Sequence, residues 1–133
     1  MKKYLVTGGC GFIGSNFIKY MLGKYDEIHI VNLDALTYAG NLENLKELEN
    51  ESRYTFVKGS VCDAALVKGL FDKYGFDCVV NFAAESHVDR SLMEPDLFCK
   101  TNVLGTVNLL NAAKNAWQKD KIFAPGKKFL LVS

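Results

Sequence analysis

The chain has 133 residues, 49% hydrophobic and 23% charged, which is the size and make-up of one globular domain. With a net charge of +1 and no basic run longer than two residues, it offers no electrostatic footprint for nucleic acid or for an anionic membrane surface. No apolar stretch approaches the length that spans a bilayer, and Met1-Lys2-Lys3-Tyr4 leads into a strand pattern without a cleavable leader, so the expected compartment is the cytoplasm.

Lys3 to Thr7 reads as a first strand whose near-continuous apolar run suits burial on both faces of a parallel sheet. The turn Gly8-Gly9-Cys10-Gly11-Phe12-Ile13-Gly14 follows and opens a helix from about Gly14 to Leu22, with Gly23 as its expected stop. A phosphate can approach a backbone only where side chains are missing, and amides at a helix start then meet its charge. The turn therefore reads as a dinucleotide pyrophosphate site. Glu27 to Leu33 is the second strand, and Asp34, at its end, lies twenty positions after Gly14, the spacing at which a carboxylate reaches the adenosine ribose. Neither Ala35 nor Leu36 brings a cation for a 2′-phosphate, so the pattern favours NAD over NADP.

Asn32 to Asn41 (NLDALTYAGN) reads as a loop around the adenosine. Asn41 is placed to cap a helix with Leu42, Leu45 and Leu48 on one face. Arg53 to Lys58 is the third strand, and Gly59-Ser60-Val61 falls where such a sheet meets adenine. Asp63 caps the next helix, which turns Leu66, Val67, Leu70 and Phe71 inward and ends at Gly75. Asp77 to Phe82 forms a fourth strand and runs into NFAAESHVDRS (Asn81–Ser91), a polar, irregular stretch that suits either ligand binding or a self-satisfying surface loop. From Pro95 a long helix is expected to about Lys119, with Val103, Val107, Leu110, Ala113 and Trp117 on one face and Phe98, Leu109, Ala112 and Ala116 beside it for a partner subunit. Pro125-Gly126 turns the chain into a fifth strand, Lys128 to Ser133.

His29 has no companion ligands at metal spacing, and Cys10, Cys62, Cys78 and Cys99 form no Cys-x-x-Cys pair, so no metal site is expected and the thiols are read as reduced. Cys10 is read as filler in the turn, with a reactive thiol at a helix start as the alternative.

TGGCGFIGS (Thr7–Ser15), Asp34, NLDALTYAGN, NFAAESHVDRS and TNVLGT (Thr101–Thr106) together resemble the extended short-chain dehydrogenase/reductases, and among them those that dehydrate nucleotide sugars. The resemblance covers the whole chain. It implies an α/β fold with a doubly wound parallel sheet of the Rossmann type, cut after the fifth strand, and a single NAD-binding domain over 1–133 without the substrate domain. It further implies NAD as a retained cofactor, dTDP-glucose as the nucleotide-sugar substrate converted to the 4-keto-6-deoxy sugar and water, and a homo-oligomer such as a dimer.

Carried over by position, Gly8, Gly11 and Gly14 with the amides of Phe12 and Ile13 would meet the pyrophosphate, and Asp34, Ala35, Leu36 and Thr37 would hold the ribose. Ser60 and Val61 would flank the adenine. Phe82, Ala83, Ala84, Glu85 and Ser86 would run past the nicotinamide half, Thr101 would close that wall, and Ser86 would also touch the sugar nucleotide. Ser60 stands where the family usually has aspartate, which trades a charge-assisted hydrogen bond for a neutral one at a cost of about 1 kcal/mol. The family's catalytic threonine, aspartate, glutamate and Tyr-x-x-x-Lys pair would follow Ser133. No catalytic residue is therefore expected within this chain, and Tyr20 with Lys24 reads as coincidence. Another epimerase, dehydratase or decarboxylase of the same fold and a non-catalytic NAD-binding module are the alternatives.

Overall fold

The computed structural model describes residues 1–36, 42–82 and 100–132. Strands β1 (Lys2–Thr7), β2 (Ile28–Asp34), β3 (Tyr54–Lys58), β4 (Cys78–Asn81) and the later β7 (Lys128–Leu131) form one sheet in the order β3-β2-β1-β4-β7. Every pairing in it is parallel. Tyr4 faces Ile30 on one side and Cys78 on the other, and Thr7 faces Leu33 and Asn81. Parallel neighbours need crossovers; helices α1 (Phe12–Lys24), α2 (Ala64–Tyr74) and α3 (Thr106–Trp117) lie on three of the connections, and the one from β2 to β3 carries the 3₁₀ segment Leu42–Leu48 instead.

Alternation along the strands feeds two cores. Leu5, Val31 and Val79 point to one face, where Val67 and Phe71 of α2 and Leu109 and Trp117 of α3 meet them. Val6, Ile30 and Val80 point to the other, against Ile18, Met21 and Leu22 of α1. A sheet with both faces covered explains the continuous apolar runs, and it is the doubly wound arrangement expected from the sequence. Among the described residues no helix is long and apolar enough to cross a membrane.

Several boundaries differ from the sequence reading. α1 starts at Phe12 and passes through Gly23 to Lys24, because Gly23 keeps helical torsions in open space and the Tyr25 amide closes the helix on the Met21 carbonyl. Leu42–Leu48 is a 3₁₀ segment kinked at Leu45 (φ −123°), so Leu45 is buried, Leu48 partly so, and Leu42 exposed. The long helix is likewise divided, with a π turn over Lys100–Gly105 preceding α3. Leu109, Ala113 and Trp117 fill the sheet-facing stripe, while Val103, Val107 and Leu110 of the expected stripe stand exposed.

After Trp117 the chain reverses through Asp120 and Lys121, both at positive φ, and makes a small antiparallel hairpin of β5 (Gln118–Lys119) and β6 (Ile122–Phe123). Asp63 caps α2 through the Leu66 amide, and Gly75 ends that helix at φ +65°, both as read from sequence.

Candidate functional site

Because the strands are parallel, the segments that follow β1, β2, β3 and β4 all emerge at one edge of the sheet. β1 lies between β2 and β4, so the crossovers diverge there, and a crevice at such a switch point is where doubly wound sheets bind ligands.

Gly8 takes φ +71°, donates its amide to the Leu33 carbonyl at 2.9 Å and receives the Gly11 amide at 3.3 Å. A side chain on Gly14 would place its Cβ 2.6 Å from the Gly8 carbonyl oxygen, so α1 can dock onto the turn only with glycine there. A side chain on Gly9 would enter the Asn32 amide and the end of Ile18. Gly11 is extended and brings no side-chain cap, which leaves the first-turn amides of α1 to an acceptor from outside the helix. Phe12 and Ile13 are 79% and 63% exposed beside this turn.

Asp34, 7% exposed, ends β2 under the turn. Its Oδ2 accepts the Cys10 amide and its Oδ1 the Leu36 amide, each at 2.8 Å. Leu36 sits at φ +56°, a conformation unusual for a residue with a side chain, and the bond from its amide to Asp34 holds it there. A carboxylate has about four lone-pair positions, so these two backbone bonds do not exhaust its capacity to accept. Ala35 is exposed alongside.

Burial, reinforced by Asp34, pushes the Cys10 thiol up to about 11, so it is neutral and inert, which answers in favour of filler over a reactive thiol. The Asn44 side chain donates to the Cys10 carbonyl at 2.8 Å and fastens the turn from the 3₁₀ segment.

Past β3, Ser60 Oγ accepts the Cys62 amide at 3.0 Å and keeps its hydroxyl proton to donate. The Val61 side chain is buried in the α2–α3 core and touches the start of α3 at Gly105, while its carbonyl accepts from Asn108 at 3.1 Å. Past β4, Phe82 donates its amide to the Thr7 carbonyl and sets its ring 5.4 Å from Phe17. The Thr7 hydroxyl donates to Asn81 Oδ1, Asn81 Nδ2 reaches the Thr106 hydroxyl at 3.4 Å, and that hydroxyl donates to the Asn102 carbonyl at 2.8 Å.

The structure therefore brings Gly8, Gly11, Phe12, Ile13, Gly14, Asp34, Ala35 and Leu36 to one turn, with Ser60, Val61 and Phe82 following neighbouring strands at the same edge. Thr101 lies in the π turn, though its side chain is outside the description. Thr37, Asn41, Ala83, Ala84, Glu85 and Ser86 lie outside the described residues. Sequence reasoning missed Asn32, Asn44, Tyr54, Thr106 and Asn108 as supports of this edge. Only Asn32 carried a signal, a polar side chain inside an apolar strand. A separate groove lined by Lys2, Tyr4, Lys24 and Tyr25 lies at the amino edge, away from the turn. Among the described residues no three metal-ligating side chains gather.

Residues 5–133 match the family model described as GDP-mannose 4,6 dehydratase. A dTDP-glucose 4,6-dehydratase of Xanthomonas campestris pv. campestris is 52% identical over 118 residues, 89% of this chain and 33% of its own length. The chain thus spans a third of the length of that curated relative. Among solved structures, a dTDP-glucose 4,6-dehydratase from Bacillus anthracis in complex with NAD matches with a TM-score of 0.82 at 41% identity, covering 100% of this chain and 37% of that one. Another, from Streptomyces venezuelae with NAD and TYD bound, gives 0.79 at 44% identity over 86% of this chain and 36% of its own. These likenesses agree with the one carried by the glycine turn and NFAAESHVDRS. Matched by the family model over all but its first four residues, the chain belongs to the GDP-mannose 4,6 dehydratase family.

Proposed function

We propose that residues 1–133 are the NAD-binding part of a cytoplasmic dTDP-glucose 4,6-dehydratase, which converts dTDP-glucose to the 4-keto-6-deoxy sugar and water. The observation that carries this reading is the closure of Gly14 onto Gly8, which aims an uncapped helix start at the switch point directly above the fixed Asp34 carboxylate. The likeness to dTDP-glucose 4,6-dehydratases solved with NAD supports it.

The cofactor, when bound, supplies a hydride acceptor that is restored within each turnover. The chain's own residues hold it. The first turn of α1 takes the pyrophosphate on its amides, and the remaining acceptor capacity of Asp34 serves the ribose hydroxyls while its charge repels a 2′-phosphate. Ser60 donates to the adenine edge, and Val61 stiffens that wall through α3. The family resemblance assigns Phe82 to Ser86 and Thr101 to the nicotinamide half, and Ser86 also to the nucleotide sugar. On this reading the groups that carry out the dehydration lie outside residues 1–133, so the chain alone binds coenzyme without turnover.

Exposed Val103, Leu104, Val107 and Leu110 form an apolar strip that supports association with a second copy, and light scattering is expected to find a dimer or larger. A monomer at high concentration would contradict that part. Titration calorimetry tests the cofactor: NAD is expected to bind at least about tenfold tighter than NADP, a difference of about 1.4 kcal/mol. Folded protein that gives no heat with NAD overturns the reading.

A further inference from the structure

Beneath the glycine turn lies a buried polar group that the proposed coenzyme contacts do not use. Asn32, fully buried in the middle of β2, accepts the Gly9 amide on Oδ1 at 3.0 Å. Its Nδ2 donates to the Tyr54 hydroxyl on β3 at 3.0 Å and lies 3.4 Å from Cys10 Sγ. The Gly9 amide can only donate, so the oxygen of the Asn32 side chain must face it. The opposite rotamer would set an NH₂ against an N–H in a dry site. With the oxygen committed to Gly9, the Tyr54 hydroxyl accepts from Asn32 Nδ2 and anchors the other end of the amide, so the side chain is held from both strands. Gly9 in turn has no room for a side chain because the Asn32 amide fills that space. The turn is thus seated on Asn32, and Asn32 is aimed from the neighbouring strand.

We propose that Asn32, oriented by Tyr54, is a positioning residue for the coenzyme turn: it fixes Gly9 so that Gly8, Gly11 and the start of α1 stand ready before coenzyme arrives. This rests on the NAD reading above. Tyr54 touches no coenzyme in it, which separates its role from that of the lining residues.

A double-mutant cycle read in NAD affinity tests the proposal, at a temperature where thermal scans show each variant folded. Tyr54→Phe keeps the ring and removes the acceptor, so NAD binding should weaken by about two- to tenfold, the worth of one neutral hydrogen bond. Asn32→Ala strands the Gly9 amide and should weaken binding by about tenfold or more. In the Asn32→Ala background, Tyr54→Phe should cost nothing further, because Tyr54 acts only through Asn32.

A purely structural role would lower melting temperatures without this coupling in affinity. Wild-type protein that binds NAD while the two losses add, or while Tyr54→Phe leaves affinity unchanged, overturns the positioning role and leaves the coenzyme reading standing. Wild-type protein that takes up no NAD overturns both. Should Asn32→Ala fail to fold, hydrogen exchange at the Gly9 amide in Tyr54→Phe reads the same coupling. Faster exchange is expected, and unchanged exchange overturns the proposal.

Discussion

Asp34 gives one carboxylate oxygen to the Cys10 amide and the other to the Leu36 amide, so Asp34→Ala strands two backbone donors at once as well as removing the proposed ribose acceptor. Each stranded buried donor costs about 1–3 kcal/mol. Urea unfolding of Asp34→Ala should show a loss of that order or more, together with lost NAD uptake. The same neighbourhood sets an alkaline limit. Burial raises the Cys10 thiol from 9.0 to about 11 and the Tyr54 phenol from 10.0 to about 12, so the folded protein keeps both protons where the unfolded chain releases them. Their stabilising contribution is therefore complete below pH 9 and is lost as pH rises through 11 to 12. Urea midpoints measured against pH should fall across that window, and Cys10→Ala should flatten its lower part. Asp34 was legible in the sequence because a fixed chain distance separates it from Gly14. The pairing of Asn32 with Gly9 and Tyr54 was not, since it joins residues 22 or more positions apart, although Asn32 stood out as a polar side chain in an apolar strand.

The elements whose ends are fixed by their own residues were read correctly, and those fixed by packing were not. α2 has Asp63 at one end and left-handed Gly75 at the other, both local signals. α1 runs through Gly23 because a glycine stops a helix only when its backbone turns left-handed, which this one does not. On α3 the expected stripe held at Ala113 and Trp117, whose Nε1 donates to the Phe76 carbonyl at 2.8 Å, and failed at Val103, Val107 and Leu110, where a π turn precedes the helix and Leu109 takes the inward place. A paired substitution separates the two kinds of glycine in α1. Gly14→Ala must push the helix off the Gly8 carbonyl and should cost about 1–3 kcal/mol in thermal unfolding along with NAD binding. Gly23→Ala, with nothing within 4 Å of the added carbon, should instead stabilise the protein by about 0.5–1 kcal/mol and leave NAD binding unchanged.

At the level of the whole molecule, the sheet class was legible because strands covered on both faces must be apolar throughout, and the five runs in the sequence correspond to the five strands of the sheet. The β5–β6 hairpin was not, since two left-handed residues, Asp120 and Lys121, make its turn without glycine or asparagine. β1 is the centre of the order β3-β2-β1-β4-β7, so native-state hydrogen exchange should find its amides among the slowest and those of β7, at the sheet's edge, among the faster. That central place also affects biosynthesis. β1 is synthesised before both of its sheet neighbours, and the second of them is completed only when Asn81 arrives, 74 residues after Thr7. Throughout that interval the nascent chain carries a greasy, half-paired ribbon, a natural stretch for a chaperone to shelter until translation delivers the missing mate.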